Sequence, residues 1–320
     1  MELKGLKKYL ISIGMALCCL AGLGSREQAY AISASYLYDL SDFTGPFLYD
    51  GSNVYVDQAR NEAYVVSRGI VSVFNENGME IYRFNDGDSL GAISALDFDT
   101  QGLIYALSYK NGFADSSFEI IKCNYRGERI GSIAIKGLPR DFKEFSPRFM
   151  AFRDGQFYLA DPSGLRFVVT DMNGQVRKSY DLVPLLELKE SDRGETELGG
   201  FSVDKNGNML FTVTVLFSAY VLGPDGKLDS FGQPGSLPGK FSQAYGILRD
   251  NRGNILVADK LRSVVNIFDR NFNFLAEFGG RGNAPGSLVI PSNMALDDTD
   301  RLFVSQGGKR GVSVFRLVYN

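Results

Sequence analysis

Seven basic side chains hold similar places in this chain. Arg68, Lys110, Arg166, Lys260, Arg262, Lys309 and Arg310 each follow a short apolar run within a few residues. Cations gathered on one surface attract an anionic partner and speed its approach even when the whole molecule is negative. This chain is negative, with 34 Lys and Arg against 37 Asp and Glu for a net −3. Arg68, Arg166, Lys260, Arg262, Lys309 and Arg310 are therefore the candidate binding residues, for an acidic protein surface or an anionic polymer. Exposed loops also need soluble side chains, and Lys and Arg supply them, so the set has a plainer reading as well.

Other chemistry is narrowed by composition. The chain has no histidine, which removes Ser–His, Cys–His and His–metal sites. Its cysteines are Cys18, Cys19 and Cys123, too few for a zinc ribbon, an iron–sulfur site or a disulfide framework. Cys123 lies in the strand-like Glu119–Cys123 and reads as a small buried hydrophobe. A pI near 5.3 argues against nucleic acid as a partner. Asp161 and Asp259 each end an apolar run, where an aspartate caps loop amides more readily than it acts as an acid catalyst. Gly279-Gly280-Arg281-Gly282 has the composition of a phosphate loop but leads into no helix, so it lacks the helix N-terminus such loops use. No catalytic residue is assigned, and the expectation is a protein without enzymatic activity.

The N-terminus carries Lys4, Lys7 and Lys8, an apolar run from Tyr9 to Leu23, and Ala29-Tyr30-Ala31. A positive start, an apolar middle and an Ala-x-Ala end make an export signal, with residues 1–31 removed and 32–320 left. The run is shorter than a membrane span. A retained anchor is the alternative. The expected location is the periplasm or the extracellular space, with no membrane span after cleavage and a monomeric mature protein.

The remaining residues repeat. The clearest copy reads Tyr245-Gly246-Ile247-Leu248-Arg249-Asp250-Asn251-Arg252-Gly253-Asn254-Ile255-Leu256-Val257-Ala258-Asp259, followed by Val265–Asp269 and Leu275–Gly279. Each copy has a short strand, an Asp/Asn-x-x-Gly turn, a second strand, a loop, a third strand, a second such turn and a fourth strand. The second-turn glycines Gly78, Gly127, Gly174 and Gly226 fall 49, 47 and 52 residues apart, and Phe272 holds the next equivalent place. Six copies with four strands each predict an all-β six-bladed β-propeller over residues 32–320. The last copy stops soon after its third strand, so Ser33–Leu40 is expected to supply the fourth and close the ring. In such a ring the loops between blades share a face with the loop after each second strand, and the tight glycine turns occupy the other face. Two longer connections stand out: Asp181 to Glu197, with an apolar start suited to a short helix or plug over the junction of blades 3 and 4 and an acidic end that is a solvated loop or a docking strip, and the shorter Arg140 to Pro147.

Gly235-Ser236-Leu237-Pro238-Gly239-Lys240-Phe241, Tyr245-Gly246-Ile247, Asn254–Asp259 and Val265–Phe268 resemble the NHL repeat, and Gly282–Leu288 with Pro291–Asp297 resembles the start of the next one. The resemblance is good in blades 5 and 6, moderate in blade 4 and weak in blades 1 to 3. It implies a propeller that works as an interaction module. The chain is also similar to calcium-dependent lactonases of the gluconolactonase type, which implies calcium and a hydrolase site at the central channel as the alternative function. There, Thr44-Gly45-Pro46-Phe47 stands where those enzymes have a metal-binding Glu before Gly-Pro, and Asn293 resembles one of their ligands. Lyases of the streptogramin type depend on histidines that this chain lacks.

Overall fold

The computed structural model describes residues 32–46, 52–110, 117–142 and 144–320, so the expected export signal lies outside the described residues. Residues 32–318 form one compact unit. Within it, six four-stranded antiparallel sheets form a six-bladed β-propeller. The inner strands are Asn53–Asp57, Ala92–Phe98, Phe149–Arg153, Leu198–Val203, Ala244–Arg249 and Pro291–Leu296 in blades 1 to 6. In blade 6, Ile32–Asp39 pairs beside Val312–Tyr319 as the outermost strand, so the ring closes as the sequence predicts.

One turn chemistry builds the blades. At Asp99, Asp204 and Asp250 the side-chain Oδ1 accepts the amides two and four residues on, at 2.8–3.0 Å. Asn75, Asn124 and Asp171 do the same in second turns. The residue three after each of these takes a positive φ, which glycine reaches without Cβ strain. Phe272 does it at φ 68°, keeping the turn bond from its amide to the Asp269 carbonyl and stacking its ring on Phe231 at 4.8 Å.

Second strands such as Ile104–Tyr109 and Arg301–Gln306 are buried at every position. They are covered on both faces by neighbouring blades, and Ile104–Tyr109 is a near-continuous apolar run for that reason. Outer strands such as Glu80–Phe84 are partly exposed. Each hydrophobic cluster accordingly draws on two adjacent blades: Tyr64, Val73 and Phe84 of blade 1 pack with Leu96, Ile104 and Cys123 of blade 2, and Phe167 of blade 3 packs with Phe211 of blade 4. Cys123 is fully buried there, and burial pushes its thiol up to about 11.

The insertions serve the same packing. Leu182–Leu185 is one helical turn, with Asp181 accepting the Val183 amide at 3.1 Å. Leu182 and Val183 are buried in the cluster shared by blades 3 and 4, which is the plug expected from the sequence. Phe142 and Phe145 of the shorter insertion fill the junction of blades 2 and 3.

Candidate functional site: the loop face of blades 4 to 6

The loops after the second strands are pinned from below. In blade 5, Asp259 is fully buried and accepts the amides of Ser242 (2.7 Å), Gln243 (3.2 Å) and Arg262 (3.0 Å). In blade 3, Asp161 accepts those of Ser146 (3.0 Å) and Gly164 (2.9 Å), while burial raises its carboxyl above the usual range. Both are caps, as the sequence suggested. Blade 6 uses Gln306 instead, whose Oε1 accepts the Val289 amide at 2.8 Å and whose Nε2 donates to Ser313 Oγ at 2.7 Å.

All seven basic residues sit in or beside these loops, but they are not equivalent. Arg68 is exposed in a tight turn at φ 52°, followed by Gly69 at 83°, and Lys110 is exposed at the end of its strand. Arg166 lies over the Phe142 ring at 4.9 Å, and Lys260 Nζ lies 4.3 Å from the Tyr245 ring centre. Arg262 is tied down most firmly. Its Nη2 meets both Glu277 oxygens at 2.8–2.9 Å, its Nη1 donates to Asn266 Oδ1 and the Lys240 carbonyl at 3.3 Å, and only 11% of its side chain is exposed. Arg262 therefore fastens the loop between blades 4 and 5. Lys309 is exposed at φ 58°, and Arg310 is half-buried.

A feature that the sequence did not reveal lies among them. Val215 (51% exposed), Phe217 (37%), Leu237 (64%), Leu261 (68%) and Ile290 (41%) all belong to loops on this face of blades 4 to 6. Hydrogen bonds join the loops of Leu237, Leu261 and Ile290 to one another, and Val215 and Phe217 lie on the loop after the second strand of blade 4. The Lys240 carbonyl is held by Arg262, the Gly280 amide by the Ser263 carbonyl at 2.8 Å, and the Gly307 amide by the Val289 and Ile290 carbonyls at 3.0–3.1 Å. Phe217 and Ile290 stand at φ 51°. That region is sterically costly for bulky and β-branched residues, so tertiary contacts must hold it. The loops between blades 4 and 5 and between blades 5 and 6 gain their rigidity in one way: Phe241 and Leu288, both fully buried, return to bridge Pro234 and Arg281. Leu237 is left at the exposed tip.

The proposed lactonase positions lie elsewhere. Thr44 belongs to a small hairpin of Ser41–Asp42 and Gly45–Pro46, not to the inner strand of blade 1, and donates its hydroxyl to Asp42 Oδ1 at 2.6 Å. Asn293 Oδ1 accepts the Val54 amide at 2.9 Å, joining blade 6 to blade 1. Among the described residues no group of three or more His, Cys, Asp or Glu side chains is placed to hold a metal ion. No helix among them is long and apolar enough to cross a membrane.

No protein-family model and no curated protein matches the sequence. The fold does match solved structures. A Bacteroides thetaiotaomicron protein of unknown function superposes with a TM-score of 0.65 at 13% identity, over 90% of this chain and 76% of that one. An auxiliary nutrient binding protein from Bacteroides ovatus gives 0.62 at 11% identity, over 90% and 77%. Virginiamycin B lyase from Staphylococcus aureus gives 0.53 at 12% identity, over 89% and 88%. At these identities the likeness is one of fold. A catalytically inactive form of that lyase carries a histidine-to-alanine change, and the present chain has no histidine.

Proposed function

We propose that this protein is an exported, non-enzymatic binding protein that docks a protein partner through the loop face of blades 4 to 6. The observation that carries the reading is the set of exposed apolar side chains Leu237, Leu261 and Ile290 on loops that are bonded to one another, with Val215 and Phe217 exposed on the blade 4 loop. Exposed apolar groups gathered on a rigid platform mark interaction surfaces. Lys260, Lys309 and Arg310 border them, so the matching partner offers an apolar ridge edged with carboxylates. The NHL likeness of blades 5 and 6, and a nutrient-binding propeller among the structures of similar fold, agree with a binding role.

A photo-crosslinking residue at Leu237 or Leu261 in the full chain, produced with its own N-terminus, tests this reading. We expect a discrete adduct from either position that weakens in salt and disappears in a Leu237→Asp, Leu261→Asp variant of unchanged melting temperature. Adducts formed only from turn-face positions such as Asn173, or adducts indifferent to both substitutions, would overturn it.

A further inference from the structure

The loop face carries two sectors of opposite charge. In blades 5 and 6, Lys240, Lys260, Arg281, Lys309 and Arg310 stand on the connections 232–243, 259–263, 279–290 and 307–311. The one acidic residue of these connections is Asp259, which is fully buried. At the junction of blades 3 and 4, the connection 181–197 carries six acidic residues against Lys189 and Arg193. Arg193 pins it, pairing with Asp181 at 2.7 Å and Glu190 at 2.6 Å and donating to the Gly164 carbonyl. Glu187, Glu195 and Glu197 are exposed, and Glu197 accepts the Ser163 hydroxyl at 3.1 Å, which places it beside the loop of blade 3. Between the sectors, the blade 4 loop 214–217 has no charged residue and exposes Val215 and Phe217.

An acidic sector, an apolar middle and a basic sector, in that order around a ring, complement a copy of themselves. A two-fold contact uses the same patch on both partners, so each contact between unlike residues occurs twice. A two-fold axis that lies between two loop faces and crosses the connection of blades 4 and 5 pairs blade 4 of one protomer with blade 5 of its partner. The same axis pairs the connection of blades 3 and 4 with that of blades 5 and 6, and blade 3 with blade 6. Arg281 of one protomer then faces the carboxylates of 187–197 in the other, and Lys309 faces Glu197 beside blade 3. Leu261 faces Val215 and Phe217, and Leu237 lies on the axis against its own counterpart.

We propose that the partner of the loop face is a second copy of this chain, docked face to face about that axis, in place of the monomer expected from the sequence. The inference rests on the loop-face reading above and names its partner. A foreign acidic protein would account for the basic sector alone, whereas a second copy accounts for both sectors and for the uncharged loop between them. Complementary charges fix the register of such a contact and make it sensitive to salt.

Sedimentation equilibrium of the purified protein, produced with its own N-terminus, tests this. We expect a dimer whose dissociation constant rises at least tenfold between about 50 mM and 500 mM salt. Two charge-reversed variants, Arg281→Glu with Lys309→Glu and Glu195→Lys with Glu197→Lys, are each expected to be monomeric. All four positions are exposed, and unchanged circular dichroism confirms the fold of each variant. Mixed in equal amounts, the two variants are expected to form a dimer again, because both reversed contacts then join opposite charges. A photo-crosslinking residue at Leu237 is expected to give a species of twice the chain's mass. A monomer at about 100 µM, a dimer indifferent to either reversal, or a mixture that stays monomeric would overturn the proposal. A monomer that gives a discrete Leu237 adduct with a protein of another mass would overturn the dimer and leave the loop-face reading standing. A dimer that crosslinks only from turn-face positions would overturn both.

Discussion

At the scale of single residues, the glycines at the inner-strand starts have a physical reason. Gly246 has an ordinary backbone conformation, so its freedom of φ is not what the position uses. What it lacks is a Cβ, and that absence lets the inner strand of blade 5 approach Ser292. An added methyl meets a backbone oxygen, which cannot rotate away as a side chain could. Overpacking of this kind costs about 3 kcal/mol, more than the gain from stiffening the unfolded chain. Gly246→Ala is expected to lower the unfolding free energy by that amount, read as a lower urea midpoint at unchanged slope. A loss below about 0.5 kcal/mol would show that blades 5 and 6 separate freely at this point. The sequence shows Gly200 and Gly246 only as glycines near the starts of inner strands. Their steric role depends on Tyr245 and Ser292 across a blade junction, and chain spacing does not report that distance.

At the scale of the elements, the repeating turn made the fold legible. An Asp or Asn that captures two amides, with a positive-φ residue three places on, is a local device written into four or five consecutive residues, so it shows in the sequence wherever it occurs. Phe272 fits the spacing without being glycine because its ring is held against Phe231. The turn aspartates also make a pH prediction. Hydrogen bonds from the Gln175 amide first, then from Asn173 and Arg177, hold the Asp171 carboxyl below the usual range. A folded pKa below the unfolded one gives stability that is present above the unfolded value, about 4, and is lost as pH falls through the folded value. Asp171→Asn keeps an oxygen for the amides but removes the titration. The variant's melting temperature is expected to fall less steeply than that of the parent between about pH 4 and 3. Parallel acid limbs for the two proteins would refute the assignment. Loops are less legible than turns. Arg262 reads as a free rim cation until the fold brings Glu277 to it, and Leu237 and Leu261 are isolated apolar residues whose common face appears only once the blades are stacked.

At the scale of the whole molecule, a ring made from an open chain is held at one non-covalent seam. The seam was predictable because the sixth copy lacks an outer strand, but its fastening was not. Arg301 is that fastening. It is buried in blade 6, and its Nε donates to Asp297 Oδ2 at 2.5 Å. Its Nη1 donates to the Glu76 carbonyl at 2.8 Å and approaches the Tyr38 hydroxyl at 3.4 Å, and its Nη2 donates to Asn61 Oδ1. One guanidinium thus joins the last blade, the first blade and the closing strand. Five donors in one rigid plane make arginine suited to this, and lysine could not span the same partners. Arg301→Met removes those bonds and leaves Asp297 charged with only 2% of its side chain exposed. Breaking a buried pair from one side costs about 3–5 kcal/mol. Adding Asp297→Asn removes the stranded charge while keeping an oxygen for the turn amides, so the double variant is expected to recover part of that loss. Amide hydrogen exchange locates the effect: protection should fall first in Ile32–Asp39 and Val312–Tyr319, the two strands at the seam. A loss under about 1 kcal/mol, or one spread evenly over all six blades, would mean that closure rests on the packing of Leu40, Val54 and Val314 and not on the arginine.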